Sequence, residues 1–192
     1  MSDARLPEPF DSIAIADTSR RTLAKGESLF VQGEMTAGLF YLMSGAMNLV
    51  RTTRTGHALI IHRVHDGEFF AEASLFSDTY HCTATAIRNC RLVAIHRAEI
   101  ERRLATDIEF TRKLTRRFTE QIQDRRRRVE LSGIRSAEER ILAAMEDGLL
   151  LDDISIFAES IGLARETTYR TLGKLVAEGK LVKSARGCYQ LY

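Results

Sequence analysis

Cysteine is scarce in this chain of 192 residues, which has only Cys82, Cys90 and Cys188, without paired spacing. So odd and sparse a set argues against a disulfide framework or a structural zinc site, and reduced thiols are expected. Long apolar runs are missing as well. None approaches the ~20 residues that cross a bilayer, and the polar start Met1-Ser2-Asp3-Ala4-Arg5 has no signal-peptide core. A cytoplasmic protein with no membrane partner is the expectation. The sequence also lacks a nucleophile elbow, a phosphate-binding loop, an HExxH pair and a paired-carboxylate arrangement. An enzyme is therefore disfavoured. No low-complexity tract interrupts the chain.

What is present divides into two halves. A hydrophobic content of 44% is enough for packed cores. The net charge of +2 hides an asymmetry: residues 1–109 carry 12 basic and 14 acidic side chains, whereas residues 110–192 carry 16 and 12. The second half is the basic one, as a nucleic-acid-binding half would be. From Leu23 to His96 short β-prone runs (Ser28 to Gln32, Leu39 to Met43, Met47 to Thr52, Ala58 to Val64, Thr83 to Ile87, Arg91 to Ile95) alternate with glycines. Such spacing predicts an antiparallel barrel or double sheet.

Helical patterns follow. One covers Arg97 to Leu104, and a longer one covers Asp107 to about Ser132. In the latter, Ile108, Thr111, Thr115, Phe118, Ile122, Arg125, Val129 and Ser132 alternate three and four apart, the seam of a coiled coil. This makes Ile108, Thr111, Thr115, Phe118, Ile122 and Val129 the candidate interface of a homodimer, with Phe110 and Leu114 turned toward the barrel. The alternative is one amphipathic helix packed on its own chain. Ser136-Ala137-Glu138-Glu139 is a capping box that opens the next helix. The expected organisation is a β-barrel over residues 1–106, a dimerisation helix and hinge over 107–134, and a further domain over 135–192.

In that last segment, two helical patterns are hinged at Gly162. Phe157, Ala158, Ile161, Leu163, Leu172, Leu175 and Val176 can share one core, leaving Arg165, Glu166, Thr167 and Arg170 outward at the start of the second helix. That is the pattern of a helix-turn-helix. An arginine fork matches guanine O6 and N7, and a glutamate accepts from cytosine N4, so the set can discriminate bases in double-stranded DNA. The alternative is a helical hairpin with a solvated face. Thr168, Lys174 and Arg186 complete the candidate DNA contacts. Two strands around Ala185-Arg186-Gly187 read as a wing.

Taken together, Lys25-Gly26-Glu27-Ser28-Leu29-Phe30-Val31-Gln32-Gly33-Glu34, Leu39-Phe40-Tyr41-Leu42-Met43-Ser44-Gly45, Gly67-Glu68-Phe69-Phe70-Ala71-Glu72 and Ala164-Arg165-Glu166-Thr167-Thr168-Tyr169-Arg170 resemble the cyclic-AMP receptor protein/FNR superfamily of bacterial transcription regulators. The resemblance covers about residues 22–192. It implies an α+β chain: an N-terminal antiparallel β jelly-roll barrel like a cyclic-nucleotide-binding domain, a long dimerisation helix and a C-terminal winged helix-turn-helix. It further implies a homodimer that reads a palindromic operator and, if an activator, meets RNA polymerase. Arg165, Glu166 and Arg170 match the positions that read TGTGA-like half-sites.

The effector pocket departs from that family's nucleotide pattern. At the matching positions stand Ala71 for glycine, Glu72, Cys82 for the phosphate-binding arginine, and Thr83. Without the arginine the charge-assisted hydrogen bonds to a cyclic phosphate are gone, so cyclic AMP is disfavoured, although Arg125 or Arg126 of the partner helix could restore a cation. A cyclic-nucleotide-dependent regulator stays as the alternative. Tyr80-His81-Cys82 opens other readings: His81 and Cys82 as soft ligands for copper(I), zinc or haem iron, Cys82 as a redox-active thiol activated by His81, or Cys82 as plain barrel wall with no ligand at all. No cysteine lies in the N-terminal segment, which disfavours an iron-sulfur cluster. Cys90 is expected in a turn, and His57, His62, His65 and His96 as ordinary strand or surface residues.

Overall fold

The computed structural model describes residues 6–149, 153–185 and 188–192. It forms two compact units, one up to Thr115 and one from Arg116 on, dividing within a long helix.

The first unit is a double sheet of eight strands: β1 (Thr18–Leu23), β2 (Ser28–Phe30), β3 (Gly38–Ser44), β4 (Met47–Thr52), β5 (Ala58–Val64), β6 (Phe69–Phe70), β7 (Thr83–Ala86) and β8 (Cys90–His96). The strand orders are β1-β8-β3-β6 and β2-β7-β4-β5, and every pair is antiparallel. Alternation sets the inner face: Phe40 and Leu42 of β3, Met47 and Leu49 of β4, Ala84 and Ala86 of β7, and Leu92 and Ala94 of β8 are buried in one core. Closest approach occurs at Gly38, where a Cβ would lie 2.0 Å from the Ile95 carbonyl oxygen, so only glycine lets β3 run this near β8.

Two strands were not legible in the β-prone runs. β1 is one, because Arg20, Arg21 and Thr22 are exposed and its sequence lacks an apolar alternation; its pairing along the whole of β8, from Thr18 with Ile95 to Leu23 with Cys90, holds it in place. The two-residue β6 is the other. Cys90 starts β8 rather than lying in a turn, and its buried thiol donates to the Ala46 carbonyl (3.4 Å) and the Arg88 carbonyl (3.2 Å).

Helix α1 (Arg97–Thr106) and the beginning of α2 (Ile108–Gly133) follow. Phe110 and Leu114 are buried. Phe10, 1% exposed, sits with its ring centroid 4.6 Å from Phe69 and 5.8 Å from Phe110, joining the N-terminal segment, β6 and α2. Glu99 is buried on α1 and accepts from Arg102 and Arg103 at 2.7 Å, while Arg103 also donates to Ser12.

The second unit holds the remainder of α2, then α3 (Ala137–Glu146), α4 (Ile154–Ser160), α5 (Arg165–Ala177) and an antiparallel pair, β9 (Leu181–Ala185) and β10 (Cys188–Leu191). Ser136 caps α3 by accepting from the Glu139 amide, as the capping box predicts. Leu131, Ile141, Met145, Ile154, Phe157, Ile161, Leu172, Leu175 and Leu181 form its core, with Leu163 and Val176 packed against it.

Replacing Phe10 with alanine should empty the Phe69–Phe110 contact and cost about 3–5 kcal/mol; urea unfolding followed by circular dichroism reads this, and a loss below about 1 kcal/mol would show that the N-terminal segment is dispensable to the barrel.

Candidate functional site

Helix α5 is positioned by a short α4 and a tight turn. Asp153 caps α4, accepting from the Ser155 amide (2.7 Å) and the Ile156 amide (3.3 Å), and these bonds hold its carboxyl below the usual carboxylate range. Gly162 then adopts φ 66°, a left-handed value that suits glycine, and Leu163 donates back to the Ala158 carbonyl at 2.9 Å. One side chain that sequence reasoning missed fixes this turn. Arg140 of α3 donates to the carbonyls of Ser132 (3.2 Å) and Ile134 (2.9 Å) after α2 and to those of Ile161 and Gly162 (both 3.3 Å). Its sequence signal was only that of another basic residue beside the capping box.

At the start of α5, Arg165, Glu166 and Arg170 are exposed and Thr167 is half-buried. No side chain caps this helix. The Arg165 guanidinium stacks over the ring of the exposed Tyr169, 5.5 Å from its centroid, which narrows the positions its fork can take. Tyr169 is a second residue missed before. One expected contact is corrected. Thr168 is fully buried and donates its hydroxyl to the Ala164 carbonyl at 3.1 Å, so it packs inward. Lys174 is ion-paired with Glu138 and, at 3.6 Å, with Glu178, which neutralises it on the α3 side. Arg186 lies outside the described residues.

The α2 seam residues are largely unburied. Ile108 (73% exposed), Ile122 (52%) and Val129 (70%) are large apolar side chains in water, and Thr115 between them is exposed. Phe118 and Thr111 are half-buried; Thr111 and Thr115 hydroxyls bond back to helix carbonyls. Of the arginine run, Arg125, Arg126 and Arg128 are exposed, while Arg127 pairs with Asp147.

In the barrel, the segment after β6 makes a tight turn. Ala71 holds φ 69°, the left-handed conformation that explains a glycine in that place, and Glu72–Ser74 form a 3-10 turn. Ala71 and Cys82 both pack in the barrel core with Phe70 and Tyr80. Burial pushes the Cys82 thiol up, Arg51 pulls it down and Glu72 pushes it further up; the net shift is upward. This is opposite to the activated thiolate the redox reading needed. His81 is exposed, with its Nε2 3.0 Å from Ser77 Oγ, whereas Cys82 is buried, so the two do not form a ligand pair. Among the described residues no three His, Cys, Asp or Glu side chains converge to hold a metal ion. Thr83 accepts from the Gln32 amide at 3.0 Å and lies outside the core cluster that holds Cys82. The histidines stay ordinary: His62 bonds Glu68 at 3.2 Å, and the others lie on strands or turns.

The chain thus joins an eight-stranded antiparallel double sheet to a series of helices, the last of them with an exposed polar end. The comparisons agree. Residues 20–107 match the cyclic nucleotide-binding domain. Over 184 residues the chain is 26% identical to the cyclic AMP receptor protein of Thermus thermophilus, covering 90% of this chain and 83% of the relative. It is 25% identical over 183 residues to the transcriptional activator protein FnrA of Stutzerimonas stutzeri, covering 85% and 75%. The solved structure of FixK2 from Bradyrhizobium japonicum shares the fold, with TM-score 0.60 and 22% identity over 91% of this chain and 92% of that one. Over most of its length the chain is thus similar to transcription regulators of the cyclic-AMP receptor protein/FNR kind. No helix among the described residues is long and apolar enough to cross a membrane.

The burial pattern sets the order of thiol reactivity. Under native conditions half-buried Cys188 should alkylate first, with Cys82 and Cys90 slower by more than about tenfold; mass spectrometry after brief iodoacetamide treatment resolves the three, and fast labelling of Cys82 would contradict its place in the wall.

Proposed function

We propose that this regulator binds double-stranded DNA as a homodimer, with α4 and α5 as a helix-turn-helix, β9 and β10 as its wing, and Arg165, Glu166, Thr167 and Arg170 reading the major groove of a palindromic, TGTGA-like operator. The observation that carries this is the split character of α5. Thr168, Thr171, Leu172 and Leu175 are buried on one face, Glu166 and Arg170 are left in water on the opposite face, and Arg165 is exposed at the start of the helix. A helix so divided offers a fixed polar edge to a groove. Its uncapped amino end leaves backbone N–H groups for a phosphate oxygen beside the arginines.

The exposed apolar residues of α2 support the dimer. Ile108, Ile122 and Val129 fall on one heptad position, where a twin helix would cover them. In this reading residues 1–106 sense, 107–134 dimerise and 135–192 bind DNA, and the contact with RNA polymerase follows if the factor activates.

The effector is not cyclic AMP on this reading. A buried Cys82 stands where a cyclic phosphate needs a cation, the neighbouring Glu72 adds negative charge, and Arg51 is the basic side chain whose charge reaches the thiol. Neither a metal at His81 and Cys82 nor a redox switch at Cys82 draws support from the geometry, which leaves Cys82 as wall packing.

Arg165→Ala should cost about 1–3 kcal/mol on a TGTGA palindrome and relax discrimination at one base position. Anisotropy titrations against single-base variants measure it, and uniform weakening at every position would place Arg165 on a phosphate instead. Phe118→Glu combined with Ile122→Glu should give monomers that no longer hold the palindrome, because like charges would face each other across the seam; an unchanged dimer in sedimentation would refute the seam. Cyclic AMP should leave the affinity of the wild-type protein unaltered in the same titration.

A further inference from the structure

The barrel contains a cleft that takes in none of Ala71, Glu72, Cys82 or Thr83. It has a volume of about 420 Å³ and lies along β1 and β2, the edge strands of the two sheets. Volumes of about 300–1,000 Å³ are usual for small-molecule sites. Ser19, Arg21, Thr22 and Leu23 of β1 line it, while Arg20 does not. Arg21 is therefore a cation on the cleft face of an edge strand, at a position the register pairs with Leu92 of β8.

The floor is aromatic. Phe30 and Tyr80 are stacked with centroids 3.8 Å apart and planes within 14°, and Phe40 stacks on Phe30 at 5.6 Å. Tyr80 offers the cleft its ring alone, because its hydroxyl donates to the Gly38 carbonyl (3.2 Å) and accepts from the Ala37 amide (3.1 Å). Two features of the wall are unexplained by folding. Ser19 Oγ is sheltered from solvent yet has no hydrogen-bond partner, which is costly unless something supplies one. Met35 lines the same cleft with 85% of its surface in water, an apolar side chain without cover. Glu34, the acidic residue of the lining, accepts from the Val31 amide at 2.9 Å.

We propose that this cleft is a second effector site, which takes a small aromatic carboxylic acid with its ring on the Phe30–Tyr80 floor under Met35 and its carboxylate on Arg21 and the Ser19 hydroxyl. A carboxylate satisfies both polar wall groups at once: it accepts from the guanidinium fork and from the orphaned hydroxyl. The flat ring offset on Phe30 and Tyr80 and covered by the flexible thioether uses the apolar remainder. The site differs from the cyclic-nucleotide position in both residues and chemistry, so its occupancy is independent of whether Cys82 has any sensing role.

Calorimetric titration of the full-length protein with 1-naphthoate tests this, with the neutral 1-naphthylmethanol as its isostere and a ¹³C-methyl label on methionine as the local reporter. Binding should occur at micromolar to millimolar concentrations, shift the Met35 methyl and leave that of Met145, in the other unit, in place. The alcohol should bind at least about tenfold more weakly, and Arg21→Gln should weaken 1-naphthoate by a similar factor. Ser19→Ala should weaken it by about threefold while unfolding as the wild type does, since no protein hydrogen bond is lost. Failure of 1-naphthoate to bind at millimolar concentration, equal binding of the alcohol, or an unshifted Met35 methyl would each overturn the proposal. So would Arg21→Gln binding as tightly as the wild type.

Discussion

The second unit hangs on one guanidinium. Helix ends leave carbonyls without intrahelical partners, and here the ends of α2 and α4 both bring such carbonyls to Arg140. A lysine could not do this. Its ammonium lacks the planar fork that reaches the carbonyls after α2 and those of the α4–α5 turn at the same time. Because Ile161 and Gly162 form the turn that leads into α5, the direction in which Arg165 and Arg170 leave the protein is set by a residue that need not touch DNA. The left-handed Gly162 and the Asp153 cap serve the same end from the other side. The edge of α5 is thus oriented before any groove is met, and orientation supplied in advance is not charged against binding.

The barrel is governed by a different balance. Where a family member that holds a cyclic phosphate would bury an arginine against an anion, this chain buries a thiol among Phe70, Tyr80 and Ala84. An arginine there is tolerable only with its anion or a carboxylate nearby, whereas cysteine packs as a small apolar group. A buried thiol needs no counter-ion, and ahead of it the chain turns at Ala71 into a 3-10 step to Ser74.

Periodicity made most of this legible in the sequence. β4 alternates between buried and half-buried positions, β3 and β5 show as continuous apolar runs, the capping box at Ser136 starts α3 as expected, and the heptad positions at Ile108, Ile122 and Val129 are left exposed. What escaped has physical causes. β1 is an edge strand whose cleft-lining positions include Ser19 and Arg21, so no apolar rhythm marks it. Thr168 and Thr167 are adjacent and identical, and only the phase of the helix against its core decides which is inside. The roles of Arg140 and Tyr169 depend on contacts with the α4–α5 turn and with Arg165, and the pairing of Lys174 with Glu138 spans two helices. Spacing along one element cannot announce these. For Cys82 the neighbour His81 suggested activation, but burial dominates the thiol and proximity in sequence did not become proximity in space.

Ala71 is the one non-glycine described residue with positive φ. A methyl group in the left-handed region costs about 1 kcal/mol relative to glycine. That cost is recovered whenever the segment departs from its place, which multiplies the equilibrium constant for local opening by roughly five. The turn between β6 and the following 3-10 segment is accordingly easier to open than the same turn with glycine at position 71.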